Sequence, residues 1–428
     1  MSTNDFYAVA PICKPVDCVL EVPGSKSITN RALLLASMAK GKSILTNVLF
    51  SDDSRGLINC LKALGYEMKI HENEKKIELY GGFPKEKATV NVKSAGTSAR
   101  FLTAMLSACK GEYTIESSEQ MKLRPMKPLT DALGKLGCKI EYIEKEGFLP
   151  YRLYGEKLEG GEIGIESEQS SQFTSALLMT GCLHKKDLTI QPTGKETAKS
   201  YIGITLKMME QFGVHASRTD GGGYLVKAGQ KYIPRAYGIE PDISSACYFY
   251  SAAALTGGAV LVKGVYSSSM QGDIKYLEIL KKLGCTVSET DEGILVKGPK
   301  RGIYEGIDVD MNDCSDQAIT LAVLAPFACS LTVIRNIRHI KYQESDRIRA
   351  VLTQLSKMGI KCEETADGMA IYPGIPKPSI MVETYDDHRM AMAFALIGLR
   401  TKGIKIANPS CTAKTFENYF EVFERLYT

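Results

Sequence analysis

A short polar stretch near the amino terminus carries side chains suited to holding an anion. Residues 23–31 read Pro-Gly-Ser-Lys-Ser-Ile-Thr-Asn-Arg and run straight into an Ala/Leu-rich segment typical of a buried helix. Gly24 predicts a turn, and Ser27 predicts a cap for the helix that follows. Lys26 and Arg31 would then lie at the positive end of that helix, where free backbone N–H groups attract negative charge. The stretch is typical of an anion site, although taken alone a capped helix with two solvated cations is the more common explanation.

Five more helix starts of the same kind follow along the chain. Each precedes an apolar helix pattern and a short β-rich run, and with the first they lie 70 to 74 residues apart, at Ser27, Thr97, Ser171, Ser244, Ser315 and Asp387. A second helix pattern in five of the units ends at a glycine, which is the usual stop after a helix, at Gly65, Gly137, Gly213, Gly284 and Gly359. Six units of about 71 residues therefore account for nearly the whole chain.

These units predict two domains of three units each. A unit that holds two helices and several strands is too large for a thin solenoid repeat. We expect an N-terminal domain at residues 21–239 and a C-terminal domain made of residues 1–20 and 240–428. Since the sixth unit ends at a helix, the segment 8–20 is expected to supply its missing strand, and the chain would cross between the domains twice.

Composition and charge exclude several classes of function. The 428 residues are 44% hydrophobic and carry a net charge of only +4, too little to attract nucleic acid or a membrane surface. Two uncharged windows, residues 243–262 and 318–334, switch midway from Ala/Leu to β-branched residues. Each window predicts a buried helix, a turn and a strand rather than a membrane span.

The cysteines and histidines indicate an ordinary intracellular environment. Twelve cysteines include no Cys-x-x-Cys pair, and most lie in apolar runs, which predicts reduced and buried thiols. Five scattered histidines form no metal-binding spacing, so no metal site is expected. The first residues have neither a basic nor an apolar leader pattern, and we expect a cytoplasmic protein.

The helix starts predict a function in binding anions. If three units pack around a pseudo-threefold axis, their equivalent helices present their N-termini on one face, and two such faces across a cleft would focus positive potential. Capping explains Ser, Thr and Asp at these positions. It does not explain Lys26, Arg100, Gln172 or Arg389, because cations are disfavoured at a positive helix end unless an anion is present. More than one anionic group is implied.

Eight motifs in a fixed order carry a family resemblance. They are residues 23–31, Ala95-Gly96-Thr97-x-x-Arg100, Leu123-Arg124-Pro125-Met126, Ser170-Ser171-Gln172-Phe173, Asp242-x-Ser244-Ser245-Ala246, Glu344-Ser345-Asp346-Arg347, Tyr385-x-Asp387-His388-Arg389-Met390-Ala391-Met392 and Cys411-Thr412-Ala413-Lys414-Thr415-Phe416. Together they resemble the 5-enolpyruvylshikimate-3-phosphate synthase family of enolpyruvyl transferases.

The resemblance implies a fold and a reaction. The fold would be α/β (α+β), with two similar domains, each of three βαβαββ repeats in an inside-out barrel, and a cleft between them. The reaction would transfer the enolpyruvyl group of phosphoenolpyruvate to the 5-hydroxyl of shikimate 3-phosphate, through a tetrahedral intermediate, releasing phosphate. This is a step of the shikimate pathway towards chorismate and the aromatic amino acids. A monomer without metal or organic cofactor is expected.

The resemblance also assigns roles to individual residues. It implies Asp316 and Glu344 as the acid–base pair, with Lys26 near the transferring atoms. For phosphoenolpyruvate the matched residues are Gly96, Arg124, Gln172, Arg347, Arg389 and Lys414. For shikimate 3-phosphate they are Ser27, Arg31, Ser170, Ser171 and Asp316. Gln343 stands where a lysine is frequent in relatives, which leaves that substrate contact neutral.

Two alternative functions stay open on the same scaffold. UDP-N-acetylglucosamine enolpyruvyl transferases use a reactive cysteine shortly before an Arg-Pro pair, and here residues 117–125 contain no cysteine. A non-catalytic anion-binding protein would keep the arginines but would have no reason to keep both Asp316 and Glu344.

Overall fold

Strands and helices alternate along the chain in a computed structural model that describes residues 6–194 and 197–428. The helices are α1 (Lys26–Met38), α2 (Asp52–Ala63), α3 (Gly96–Ser107), α4 (Glu119–Lys122), α5 (Lys127–Lys135), α6 (Ser171–Thr180), α7 (Lys199–Gln211), α8 (Ile243–Thr256), α9 (Tyr276–Lys282), α10 (Ala318–Leu324), α11 (Arg347–Lys357), α12 (His388–Gly398) and α13 (Tyr419–Phe423). The strands are β1 (Phe6–Ala8), β2 (Asp17–Leu20), β3 (Gly41–Thr46), β4 (Glu67–His71), β5 (Lys76–Gly81), β6 (Lys87–Asn91), β7 (Gly111–Glu116), β8 (Lys139–Tyr142), β9 (Tyr151–Gly155), β10 (Gly161–Glu166), β11 (Leu188–Thr193), β12 (Ala216–Arg218), β13 (Tyr224–Val226), β14 (Ala236–Gly238), β15 (Ala259–Lys263), β16 (Thr286–Thr290), β17 (Gly293–Lys297), β18 (Asp308–Asp310), β19 (Thr332–Arg335), β20 (Cys362–Glu364), β21 (Met369–Ile371), β22 (Met381–Val382) and β23 (Lys405–Ala407).

The chain divides into two compact units. One joins the segment up to Pro23 to Glu240–Thr428, and the other is Gly24–Ile239. The described strands form six sheets, three in each unit, with orders β14-β3-β5-β4, β6-β7-β9-β8 and β10-β11-β13-β12 in the second unit, and β2-β15-β17-β16, β18-β19-β21-β20 and β1-β23-β22 in the first.

All four-stranded sheets have the same topology. In the sheet β6-β7-β9-β8, β6 is parallel to β7, β7 is antiparallel to β9, and β9 is antiparallel to β8. Since a parallel pair needs a crossover, a helix lies between its strands, and a second helix precedes the final hairpin. The result is a βαβαββ repeat, and the predicted α/β fold class is confirmed.

Strands distant in sequence complete three of the sheets. β14, which follows the third repeat, pairs parallel with β3 of the first. β2 pairs parallel with β15 of the fourth repeat, and β1 pairs antiparallel with β23 of the sixth. The segment 8–20 was expected to supply one strand to the sixth unit; instead β1 enters that sheet, and β2 enters the sheet of the fourth.

Three helices form the centre of each unit. α1, α3 and α6 pack together in the second unit, and α8, α10 and α12 pack together in the first. Every residue of α3 and of α12 is buried, as expected for helices that are covered on all sides. Polar side chains at the N-terminal ends of α3 and α12 are therefore expected to belong to a functional site or to a buried hydrogen-bond network.

Glycines end three of the helices at positions where the sequence predicts a helix stop or a turn. Gly65 (φ +92°) and Gly137 (φ +106°) follow α2 and α5 in the left-handed region that favours glycine, as the stop pattern predicts. Gly257 (φ +69°) ends α8 before strand β15, so the window 243–262 is a helix, a turn and a strand. Among the helices of the described ranges, none is long and apolar enough to cross a membrane.

One predicted cap and one predicted helix start are wrong. α1 begins at Lys26 with Ser25 at the N-cap position and without a side-chain cap, so Ser27 lies inside the first turn and does not cap. The fifth start, Ser315, lies in a 3₁₀ segment at Asn312–Gln317, because the backbone of Cys314 (φ −130°, ψ 39°) interrupts the helix, which begins only at Ala318.

Candidate active site

Lys26 extends from the first residue of α1 towards a buried carboxylate. Its Nζ lies 3.5 Å from Oδ2 of Asp53, which belongs to the first turn of α2. The side chain of Lys26 is 18% exposed and that of Asp53 5% exposed. Asp53 was not among the predicted site residues, although the acidic pair at the start of α2 was a signal for it. Ser27, the next residue of α1, is half-buried.

Arg31 lies deeper in the same unit and is held by internal acceptors. Its Nε donates to Oγ1 of Thr205 at 2.8 Å, and its Nη atoms donate to the carbonyl oxygens of Ser27 at 3.0 Å and Tyr201 at 3.2 Å. The guanidinium also packs over the ring of Phe101. Burial lowers the pKa of Arg31 to about 10, so it stays charged at neutral pH. Its predicted contact with shikimate 3-phosphate stays a prediction.

Two guanidinium groups converge on Gly96, the first residue of α3. A Cβ added to Gly96 would lie 2.3 Å from Nη1 of Arg100 and 2.8 Å from Cζ and Nη1 of Arg124. The N-cap residue Ala95 offers no side-chain cap to the free N–H groups of this helix end. Two like charges at a positive helix end repel one another, so a bound anion would stabilise this arrangement.

Gln172 and Ser170 connect this position to α6. Nη1 of Arg100 donates to Oε1 of Gln172 at 3.1 Å, and Ser170 caps α6 by accepting from the backbone N–H of Gln172 at 3.2 Å. Ser171, the first residue of α6, is buried. The Nε atom of Arg124 is buried without a hydrogen-bond partner in the described part of the chain. Arg100 was quoted in a motif but not predicted as a site residue.

In the other unit, Asp316 is bound by two arginines. Nη1 of Arg347 donates to its Oδ1 at 3.1 Å, and Nη2 of Arg389 donates to its Oδ2 at 2.7 Å. Arg347 begins α11 and Arg389 lies in the first turn of α12. Both arginines are buried, while the side chain of Asp316 is 12% exposed. Asp316 therefore keeps a solvent-accessible edge although both oxygens are paired.

Glu344 shares one of these arginines. Nη2 of Arg347 donates to Oε2 of Glu344 at 2.9 Å, and Nζ of Lys414 lies 3.3 Å from its Oε1. The same Arg347 also donates through Nη1 to the amide oxygen of Gln343. Arg347 therefore bridges the two carboxylates predicted as the acid–base pair.

A fully buried carboxylate, Asp387, orients both arginines. It accepts from Nε and Nη2 of Arg347 at 2.8 and 3.2 Å, and it caps α12 by accepting from the backbone N–H of Arg389 at 3.0 Å. Burial alone would lower the pKa of Arg347, but the charges of Asp387, Glu344 and Asp316 raise it well above its usual range. Asp387 was expected as a helix start and as part of a motif, not as a partner of Arg347; its position two residues before Arg389 was the available signal.

The predicted site residues thus fall into two groups, one in each unit. The first group lies at the starts of α1, α3 and α6 and after α4, and comprises Lys26, Ser27, Arg31, Gly96, Arg124, Ser170, Ser171 and Gln172. The second is one connected network of Asp316, Gln343, Glu344, Arg347, Arg389 and Lys414. Within residues 6–194 and 197–428, no cluster of three or more His, Cys, Asp or Glu side chains is arranged to hold a metal ion.

The chemistry of the two groups is complementary. The first offers cationic donors at a helix N-terminus, which suits a phosphate or carboxylate. The second offers two carboxylates that share a guanidinium, and carboxylates held among cations are suited to take up and release protons during a reaction. Groups of these two kinds are what a group-transfer enzyme acting on anionic substrates needs.

Comparison with known proteins identifies the family. The family model described as EPSP synthase (3-phosphoshikimate 1-carboxyvinyltransferase) matches residues 11–423. Relatives named 3-phosphoshikimate 1-carboxyvinyltransferase from Trichormus variabilis and Escherichia coli are 45% and 42% identical, each with 99% of both chains covered. A solved EPSP synthase from Acinetobacter baumannii aligns with a TM-score of 0.82 at 25% identity over 98% of both chains. The chain belongs to the EPSP synthase family.

Proposed function

We propose that the chain transfers the enolpyruvyl group of phosphoenolpyruvate to the 5-hydroxyl of shikimate 3-phosphate and releases phosphate, a step of the shikimate pathway. The family and its full-length relatives support the reaction. The observation that carries the mechanism is the guanidinium of Arg347, which binds both Asp316 and Glu344.

The reaction needs a proton to be added and then removed at the same carbon. In the addition, the methylene carbon of phosphoenolpyruvate gains a proton, while the 5-hydroxyl attacks the neighbouring carbon and loses its own proton. In the elimination, the new methyl group loses a proton as the carbon–oxygen bond to phosphate breaks. Asp316 and Glu344 serve as the two proton-transferring groups, with Lys26 close to the reacting atoms.

Both substrates are anions, and the cationic and neutral donors of the two groups are proposed to bind them. Arg124 lies beside Arg100 and the backbone of Gly96, and it is the main anchor for phosphoenolpyruvate in the unit Gly24–Ile239. Arg347, Arg389 and Lys414 also bind phosphoenolpyruvate, and Gln172 adds a neutral donor. Ser27, Arg31, Ser170, Ser171 and Asp316 bind shikimate 3-phosphate, and Gln343 makes a neutral contact.

We propose further that the two compact units correspond to the domains at 21–239 and at 1–20 with 240–428, and that both groups of residues serve one reaction. Residues 1–5 of the predicted C-terminal domain lie outside the described residues. Cytoplasmic location, a monomeric state and independence from cofactors stay predictions from the sequence and the resemblance.

Release of phosphate on mixing phosphoenolpyruvate with shikimate 3-phosphate tests the activity. The double variant Asp316→Ala/Glu344→Ala should abolish release, and Asp308→Ala/Glu305→Ala, which removes two exposed carboxylates from the same unit, should not. Release of phosphate with UDP-N-acetylglucosamine as the only acceptor would show that the proposed acceptor is wrong. Binding of both ligands without release of phosphate would favour the non-catalytic anion-binding protein.

A further inference from the structure

Side chains from neighbouring segments fasten the 3₁₀ segment that carries Asp316. Nε2 of His339 lies 2.8 Å from Oγ of Ser315, and Nζ of Lys275 lies 2.5 Å from Oδ2 of Asp313. The segment Asn312–Gln317 has an irregular backbone, so it lacks a regular helical hydrogen-bond ladder that would fix Asp316 by itself. Contacts of its flanking side chains add to the hold that Arg347 and Arg389 have on Asp316 itself.

Gln317, the residue next to Asp316, is held on the other side by a buried carboxylate. Its Nε2 donates to Oδ2 of Asp273 at 2.9 Å, and its Oε1 accepts from Oγ1 of Thr320 at 2.9 Å. Oδ2 of Asp273 also accepts a hydrogen bond from Oγ of Ser244, near the start of α8. Gln317 is fully buried and Asp273 is 4% exposed, so neither side chain can exchange its partner for water at low cost.

We propose that Asp273 is a positioning residue for Asp316, which it holds through Gln317, and that Asp273 acts on Asp316 as a second buried carboxylate. The proposal rests on the proposed acid–base role of Asp316. Two carboxylates in a buried setting destabilise each other's ionised forms, so each favours the proton on the other. Asp273 therefore acts on the reaction without touching the substrates.

The surroundings of Asp273 fit this assignment. The pKa of Asp273 is raised to about 6, chiefly by burial and also by the charge of Asp316, while Arg389 and the hydrogen bonds from Ser244 and Gln317 oppose the rise. Two thiols also feel the charge of Asp273, Cys247 from α8 and Cys314 from the 3₁₀ segment. At neutral pH most of Asp273 is ionised, so Asp316 feels its charge.

The test compares pH profiles of kcat for the wild-type enzyme and Asp273→Asn. Loss of the charge should move the acidic limb of the profile to lower pH by about half a unit or more. Loss of positioning should lower kcat at pH 7 about tenfold, with KM for both substrates within about twofold of wild type. Glu240→Gln is the matched control, since Glu240 is a part-buried carboxylate of the same unit that accepts from Ser269 and Gln271. Its profile should match wild type.

A second variant tests the same inference if Asp273→Asn does not fold. Ser244→Ala removes one hydrogen bond to Asp273, so Asp273 binds its proton more tightly and the limb should move in the same direction by a smaller amount. A kcat profile of Asp273→Asn, or of Ser244→Ala in its place, that matches wild type overturns the inference. Full activity of Asp316→Ala would instead overturn the proposed role of Asp316, and this separates the two failures.

Discussion

Arg347 holds Asp387 by two hydrogen bonds, from Nε to Oδ2 at 2.8 Å and from Nη2 to Oδ1 at 3.2 Å. Both side chains are buried, and the exposed fraction of Asp387 is zero. The remaining N–H groups of the guanidinium point to Asp316 and Glu344. Asp387, which is buried away from solvent, therefore sets the orientation of Arg347. Through Arg347 it also sets the spacing of the two proposed proton-transferring groups.

Asp387→Ala should lower the free energy of unfolding by about 3 to 5 kcal/mol, because it leaves Arg347 buried with fewer negative partners. Chemical denaturation measures this effect. The control is Asp308→Ala, which removes an exposed partner of Arg335 and should cost much less, because solvent screens an exposed ion pair. Equal losses in both variants would show that the buried pair contributes no more than a surface one.

Gly96→Ala should weaken binding of phosphoenolpyruvate, because the new methyl group would displace the guanidinium groups of Arg100 and Arg124. We expect KM for phosphoenolpyruvate to rise about tenfold, which corresponds to about 1.4 kcal/mol. Steady-state kinetics measure it. Gly134→Ala, in α5 with nothing within 4 Å of the new Cβ, should leave KM unchanged and add up to about 1 kcal/mol of stability. An unchanged KM in Gly96→Ala would argue against an anion site there.

Arg31→Lys should destabilise the unit Gly24–Ile239 by about 2 kcal/mol, since an ammonium group cannot reach all of the acceptors on Ser27, Tyr201 and Thr205. Arg55→Lys alters an exposed pair with Glu72 and should change stability by about 0.5 kcal/mol at most. Thermal or denaturant unfolding compares them. If Arg31→Lys is as stable as Arg55→Lys, the internal hydrogen bonds of Arg31 do not contribute measurably to the free energy of unfolding.

His184 should make stability depend on pH below neutrality. Its side chain is buried, neither ring nitrogen has a partner in the described residues, and burial lowers its pKa to about 4. The unfolded chain binds a proton near pH 6.5 and the folded chain does not, so stability falls as pH drops from about 6.5 to about 4, by roughly 3 kcal/mol in total. His184→Leu should flatten this part of the stability curve, whereas exposed His215→Gln should not. Parallel curves for His184→Leu and wild type would contradict the assignment.

The repeats and their stops could be predicted because they depend on local chemistry. A glycine after an apolar helix pattern is favoured wherever the chain needs a left-handed residue, and Gly65 and Gly137 have that conformation. The strands β1 and β2 could not be placed in this way. Their partners are β23 and β15, and such distant pairing leaves no local signature in the sequence.

The residues of the network around Arg347 could be named from the motifs, but their contacts could not be predicted. The motifs identified Asp316, Glu344 and Arg347, yet nothing in their spacing says that one guanidinium would bridge the two carboxylates. Asp387 and Asp273 were missed for a related reason. A buried carboxylate is recognised by what surrounds it, and those partners come from separate repeats.

The most direct test of the central claim is incorporation of deuterium at the reacting carbon. In D₂O with both substrates, the wild-type enzyme should place deuterium in the enolpyruvyl group of the product, because a proton is added to that carbon and then removed. Variants Glu344→Gln and Asp316→Asn should bind both substrates but exchange at least about a hundredfold more slowly, as expected when a proton-transferring group is lost. Exchange at the wild-type rate in both variants would contradict the proposal that Asp316 and Glu344 carry the protons.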